Sequence, residues 1–230
     1  MYGIPEAAEG VIVVTLAESV LAGGGKRIFL AAERLVPLSA GIYTAAALAV
    51  IVLYAGRIPG VFLAIMADAF SFRSAVGGIA GYGISQCVSY GIARGVFSNE
   101  AGLGSLAVLN GSAETAAEEI QGQWAIFEVF FDTIVSCTLT ALVILCVAGR
   151  GAASESGAEN GASLTSLCFF TALGSPGGYL VAVCVVLFAF STIIAWYYMG
   201  RQAAEYLGGK ISGRIPAIYT AGYLLAAFLG

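Results

Sequence analysis

Histidine is absent from these 230 residues, and charge is scarce: only 10% of positions are Asp, Glu, Lys or Arg. Without histidine there is no Ser-His-Asp or Cys-His machinery and no imidazole to hold a metal, so an enzyme of those kinds is excluded. The five cysteines, Cys87, Cys137, Cys146, Cys168 and Cys184, include no Cys-x-x-Cys pair. Neither a zinc site nor a disulfide framework is written here. Four of the five lie in or beside apolar segments, where a free thiol packs as a small apolar group. No Gly-x-x-x-x-Gly-Lys-Ser/Thr run occurs, which excludes ATP-driven pumping through a phosphate-cradling loop of this chain. No nucleic acid is expected as a partner. No basic region follows Met1, so no secretory signal is read in Tyr2 to Glu6.

What is present is apolar. Hydrophobic residues make up 59% of the chain, and the mean hydropathy is +0.91. Soluble domains carry about 25% charged residues, and a soluble fold of this size would leave large apolar patches exposed. The composition therefore predicts an all-α, multi-pass protein of the cell membrane, with the lipid bilayer as partner. About six spans are expected: Val11 to Gly25, Val36 to Gly56, Ser74 to Ala93, Trp124 to Ala148, Tyr179 to Met199, and a last one after Pro216. That last run ends at Gly230, short of the roughly 20 residues a span needs, so the sequence reads as a fragment. Ile58 to Phe72, with Pro59 suited to a first helical turn, is either a short interfacial helix or part of a broken span. Arg150 to Ser163 reads as a solvated connection. If each segment crosses once, seven basic residues (Lys26, Arg27, Arg34, Arg94, Arg201, Lys210 and Arg214) fall on one side, which becomes the cytoplasmic one.

Four groups of polar residues interrupt the apolar runs. Gly77, Gly78, Gly81 and Gly83 fall within seven residues. Each glycine costs a helix about 1 kcal/mol relative to alanine, and unwound backbone in a span can present N–H and C=O groups to a substrate. Close packing through small residues is the other reading. Glu128, Asp132, Ser136 and Thr140 recur every fourth residue, a spacing that places them on one helical face, flanked by Thr133 and Cys137. Such acids face the bundle interior or water, or lie at the interface. Ser191 and Thr192 place adjacent hydroxyls mid-span, hard oxygen ligands suited to a hard cation or donors to their own helix's carbonyls. Trp196, Tyr197 and Tyr198 match an interfacial aromatic belt. Finally, Arg94 to Ser105 packs Arg94, Ser98, Asn99, Glu100 and three glycines into twelve residues just beyond the third segment. There Arg94 can pair with Glu100, Gly95, Gly102 and Gly104 permit positive φ, and Ser98 or Asn99 can cap a helix.

The run Arg94-Gly-Val-Phe-Ser-Asn-Glu-Ala-Gly-Leu-Gly-Ser105 resembles the signature of the alanine/glycine:cation symporters, also called sodium:alanine symporters or amino acid carrier proteins. Gly24-Gly25-Lys26-Arg27-Ile28, Leu35-Val36-Pro37, Ala69-Phe70, Phe131-Asp132-Thr133, Cys137-Thr138 and Phe188 to Ile194 with Trp196 support it in register. The chain departs from the family's usual continuation at Leu106 to Asn110, and at Ala195, Met199 and Arg201. The resemblance implies a leucine-transporter-like bundle of five-plus-five inverted repeats, of which residues 1–230 form one transmembrane domain, approximately spans four to nine. It implies sodium-coupled symport of a small neutral amino acid such as alanine or glycine by alternating access, with sodium as coupling ion and no other cofactor. Ser191 and Thr192 become the sodium ligands. Phe70, Gly77, Gly78 and Gly81 become substrate-side residues. Arg94, Ser98, Asn99, Glu100 and Gly102 form a gate or hinge, and Asp132 and Thr133 are intramembrane polar groups. The missing spans of the full carrier would be the chain's partners. A non-coupled channel or a structural membrane scaffold is the alternative.

Overall fold

The computed structural model describes residues 6–69, 78–100, 102–113, 117–149, 161–208 and 215–229. Among them the chain is helical throughout, with no strand. Backbone groups facing hydrocarbon must be satisfied within their own segment, and the helix does this locally. The helices are α1 (Glu6–Leu21), α2 (Gly24–Leu53), α3 (Ile58–Ala69), α4 (Gly78–Asn99), α5 (Ser105–Asn110), α6 (Glu118–Phe130), α7 (Cys137–Val147), α8 (Gly161–Leu173), α9 (Ser175–Gly208) and α10 (Ile215–Leu229). A π-helical segment, Phe131–Ser136, joins α6 to α7 without a break.

Among the described residues three helices are long and apolar enough to cross a membrane: Gly24–Leu53, Glu118–Val147 and Ser175–Gly208. The first holds 30 residues, about 45 Å of helix against a hydrocarbon core of about 30 Å. Leu53, Leu63, Ile126 and Val186 are each more than 60% exposed. Such a surface suits contact with lipid chains rather than water.

Several expected boundaries move. Lys26, Arg27 and Arg34, expected between two spans, lie inside α2. Long basic side chains are good helix formers and keep their heads at the interface. Ile58–Ala69 is the short helix that Pro59 suggested. Residues 164–173, given no role by hydropathy, form most of α8.

Two compact units divide the chain: residues 1–42 with 183–230, and residues 43–182. In the first, α1 packs against α10. The Phe29 ring meets Tyr198 edge-on at 4.9 Å. Tyr197 and Tyr198 are 1% and 8% exposed, so these two turn inward rather than forming a belt. Tyr197 packs on Tyr219 and Tyr223, its hydroxyl hydrogen-bonds Thr220 at 2.8 Å, and Tyr223 donates to the Ile193 carbonyl at 2.7 Å. A buried tyrosine finds a partner for its hydroxyl, and here α10 and the middle of α9 supply it.

The second unit has its own core: Ala46, Ala47 and Val50 of α2, Val143 of α7, Leu164, Cys168 and Phe169 of α8, and Val181 of α9. Tyr43 lies over Phe169 at 5.7 Å and shares a 2.6 Å hydrogen bond with Thr140. The corner from α8 to α9 turns at Gly174, with φ 73°. Just beyond it Gly177 sits so close to the backbone that an added Cβ would lie 2.3 Å from the Phe169 carbonyl oxygen. Only glycine permits that approach.

Candidate functional site

The twelve-residue run that stood out in sequence begins as helix and ends as a turn. Arg94, Gly95, Ser98 and Asn99 belong to the last turns of α4. The backbone then reverses through Glu100, Gly102 and Gly104, with φ of 52°, 82° and 85°, and the Leu103 N–H donates to the Glu100 carbonyl at 3.1 Å. Left-handed backbone is free for the two glycines and uncommon for a glutamate, so the turn holds Glu100 in a conformation that its neighbours must enforce. Gly104, not Ser98 or Asn99, occupies the N-cap of α5, without a side-chain cap. Ser105 follows, buried, its hydroxyl without a partner among the described residues. The side chain of Arg94 lies outside the described residues.

Ser98 reaches across to the long span. Its Oγ donates to Asp132 Oδ2 at 2.5 Å and lies 3.9 Å from Cys137 Sγ. Asp132 and Cys137 are five apart, and on a regular α-helix such residues point well away from each other. The π-helical segment changes that. The Cys137 N–H bonds to the Asp132 carbonyl, five residues back, and a turn this wide carries both side chains to one side. Wide turns of this kind recur at functional sites. The same segment breaks the every-fourth-residue face expected for Glu128, Asp132, Ser136 and Thr140, because the register shifts between the first two and the last two. Glu128 is exposed, while Thr140 donates to the Ser136 carbonyl at 2.9 Å. Thr133 Oγ1 is buried without a partner among the described residues, and few buried polar atoms in native structures are left that way.

A hydroxyl donating to a carboxylate is a charge-assisted bond, stronger than a neutral one and stronger still away from water. Here it ties the end of α4 to the middle of the α6–α7 span. Gln121 of that span adds a second tie to the turn's far side, donating to Asn110 Oδ1 at 2.5 Å. Sequence reading marked Ser98 and Asp132 separately. It did not pair them, and it passed over Asn110, Gln121 and Tyr43.

The other candidate oxygens lie on α9. Ser191 is 6% exposed. Its hydroxyl donates to the Leu187 carbonyl at 2.6 Å, with Phe188 at 3.2 Å, and Thr192 donates to the Phe188 carbonyl at 2.9 Å. A hydroxyl that has spent its hydrogen on a carbonyl keeps lone pairs that a cation could use. Gly78 and Gly81 are helical at the start of α4. Phe70 and Gly77 lie outside the described residues.

The model of the sodium:alanine symporter family matches residues 1–230. The chain is 36% identical over 222 residues to a protein of Bacillus subtilis described as the uncharacterized transporter YflA, covering 95% of this chain and 46% of that one. It is 36% identical over 229 residues to the sodium/alanine symporter AgcS of Methanococcus maripaludis, covering 100% of this chain and 49% of the other. An uncharacterized transporter of Haemophilus influenzae is 34% identical over 235 residues, covering 100% and 49%. The chain thus spans about half the length of the curated relatives it matches.

Proposed function

This chain belongs to the sodium:alanine symporter family, and we propose that it forms part of a carrier for sodium-coupled symport of a small neutral amino acid, alanine or glycine, by alternating access. The observation that carries this reading is the run Arg94 to Ser105 within a family match over the whole chain, joined by the Ser98–Asp132 bond to a membrane-spanning carboxylate. The fold we propose for the complete carrier is the leucine-transporter-like bundle of inverted repeats, with sites near the midplane.

In this reading Ser191 and Thr192 supply hydroxyl oxygens to sodium. Gly77, Gly78 and Gly81, with Phe70, stand on the substrate side. The gate is the α4 end with its turn: Arg94, Ser98, Asn99, Glu100 and Gly102. Asp132 holds it through Ser98, and Thr133 lies beside it. One carrier conformation keeps that bond and the other releases it. Sodium and substrate couple because each binds one conformation better than the other; equal affinity for both would shift nothing. The test is uptake of labelled alanine into proteoliposomes holding the complete carrier. An imposed inward sodium gradient should stimulate saturable uptake. Uptake indifferent to sodium and to protons would overturn the reading, and a non-saturable flux would point to an uncoupled pore.

A further inference from the structure

Arg57 is a fixed cation on an apolar surface. It ends a 3-10 turn, Ala55–Arg57, that leads into α3. Its Nη1 donates to the Cys146 carbonyl at 2.9 Å and reaches toward the Val147 carbonyl at 3.5 Å, so it occupies the C-terminal end of α7, where a positive charge is favoured. The guanidinium carbon lies 5.0 Å from the centre of the Tyr54 ring, within cation–π range. Two helix carbonyls and an aromatic face hold the group in one place. Its Nε and Nη2 hydrogens have no partner among the described residues.

Among the described residues no carboxylate pairs with this charge. Between Tyr43 and Ala69 the charged residues are Arg57 and Asp68, and Cys137 to Gly149 contains none. Asp68 stands eleven residues further along the chain, roughly 16 Å by helical rise. Beside Arg57 lies an open groove of about 410 Å³ between α3 and the end of α7, lined by Gly60, Val61, Ala64 and Leu145 among others. Gly56 and Gly60 line it with open space beside them: a Cβ added at either would meet nothing within 4 Å. Before Asp68, α3 is apolar, and Phe62, Leu63 and Met66 are exposed on it.

We propose that this groove binds an anionic phospholipid, with the headgroup phosphate on Arg57 and an acyl chain along α3. The charge calls for an anion, and a fork of N–H groups without a partner among the described residues matches phosphate oxygens. The walls call for hydrocarbon, which a free phosphate or a small hydrophilic anion does not bring. Basic pockets between membrane helices take lipid headgroups by this combination. The site is separate from the proposed transport residues and stands whether or not the symport reading does.

The test titrates the complete carrier, purified in a neutral detergent, with phosphatidylglycerol, with phosphatidylcholine and with inorganic phosphate, following the thermal unfolding midpoint. Phosphatidylglycerol should raise the midpoint at concentrations where the other two do not. Arg57→Gln should weaken its apparent affinity roughly fivefold, with Arg57→Lys between the two. Gly60→Leu, which leaves the guanidinium but fills the groove, should also weaken it, and decides the matter if Arg57→Gln does not fold. Equal responses to the two lipids, a full response to phosphate alone, or unchanged phosphatidylglycerol affinity in both Arg57→Gln and Gly60→Leu would each overturn the proposal.

Discussion

Ser191 and Ser98 do opposite things with the same hydroxyl. Ser191, like Thr192, gives its hydrogen to its own helix, three or four residues back. Ser98 gives its hydrogen to Asp132, 34 residues away on another helix. The first bond depends only on the helix and survives any rigid movement of it. The second exists only while α4 and the π-helical segment stay together. A back-bonded hydroxyl is therefore a constant feature, fit to offer a lone pair in every state of a carrier. A cross-helix bond to a carboxylate distinguishes one state from another. The difference separates two polar clusters that look alike in sequence.

Asp132 is where breaking this comparison should cost most. Removing the carboxylate leaves Ser98 without its charged acceptor, a loss of about 1.5–3 kcal/mol for a bond to a charged group. Asp132→Ala in the complete carrier should lower sodium-driven alanine uptake by roughly tenfold to a hundredfold at equal protein in the membrane. Asp132→Asn keeps an acceptor without the charge and should fall between. Wild-type uptake in the alanine variant would remove Ser98–Asp132 from the gate. A smaller change is expected at the back-bonded pair. Ser191→Ala with Thr192→Ala should raise the half-saturating sodium concentration about tenfold, leaving maximal uptake at saturating sodium nearly intact. An unmoved sodium curve would strike these residues from the cation site.

How legible this was depended on distance along the chain. The apolar runs announced the long helices because a span writes its length into composition. Ser191 and Thr192 were visible as candidates because adjacent hydroxyls inside an uncharged run stand out locally. The Ser98–Asp132 pair was not, since nothing local reports a partner 34 residues off. Nor was the π-helical segment: Phe131-Asp-Thr-Ile-Val-Ser136 contains neither proline nor glycine, so its wide turn carries no breaker signal. α8 escaped because its 13 residues are too few for a span and hydropathy was read for spans. The inward tyrosines were mistaken for an interfacial belt because they close an apolar run in the sequence, whereas α9 continues past them to Gly208. The packing of α10 on Tyr197 and of Phe29 on Tyr198 decides between the two arrangements.

Tyr223 sharpens the comparison from a third position. Its hydroxyl crosses between helices, as that of Ser98 does, but its acceptor is the neutral Ile193 carbonyl on the helix that carries Ser191 and Thr192. Tyr223→Phe keeps the ring against Tyr197 and Tyr219 and removes one neutral hydrogen bond, a cost of about 0.5–1.5 kcal/mol. The thermal midpoint of the complete carrier should drop by a few degrees with the sodium dependence unchanged. A shift in sodium dependence as large as that of the Ser191 and Thr192 variant would mean that the α9–α10 contact shapes the cation site.

Thr171→Val should have the smallest effect, and it makes the sodium assignment testable against its simplest rival. Thr171 donates to the Leu167 carbonyl at 2.8 Å, four residues back and exposed, the same arrangement as Thr192 with Phe188. If back-bonding is all that either hydroxyl does, valine, which keeps the branched shape, should be tolerated equally at both, within about 0.5 kcal/mol of wild-type stability. Sodium titrations of uptake separate the cases. Thr192→Val alone should move the sodium curve and Thr171→Val should leave it in place. Matching curves for the two variants would mean that Thr192 is an ordinary helix hydroxyl, and the oxygens for sodium would have to be sought elsewhere in the carrier.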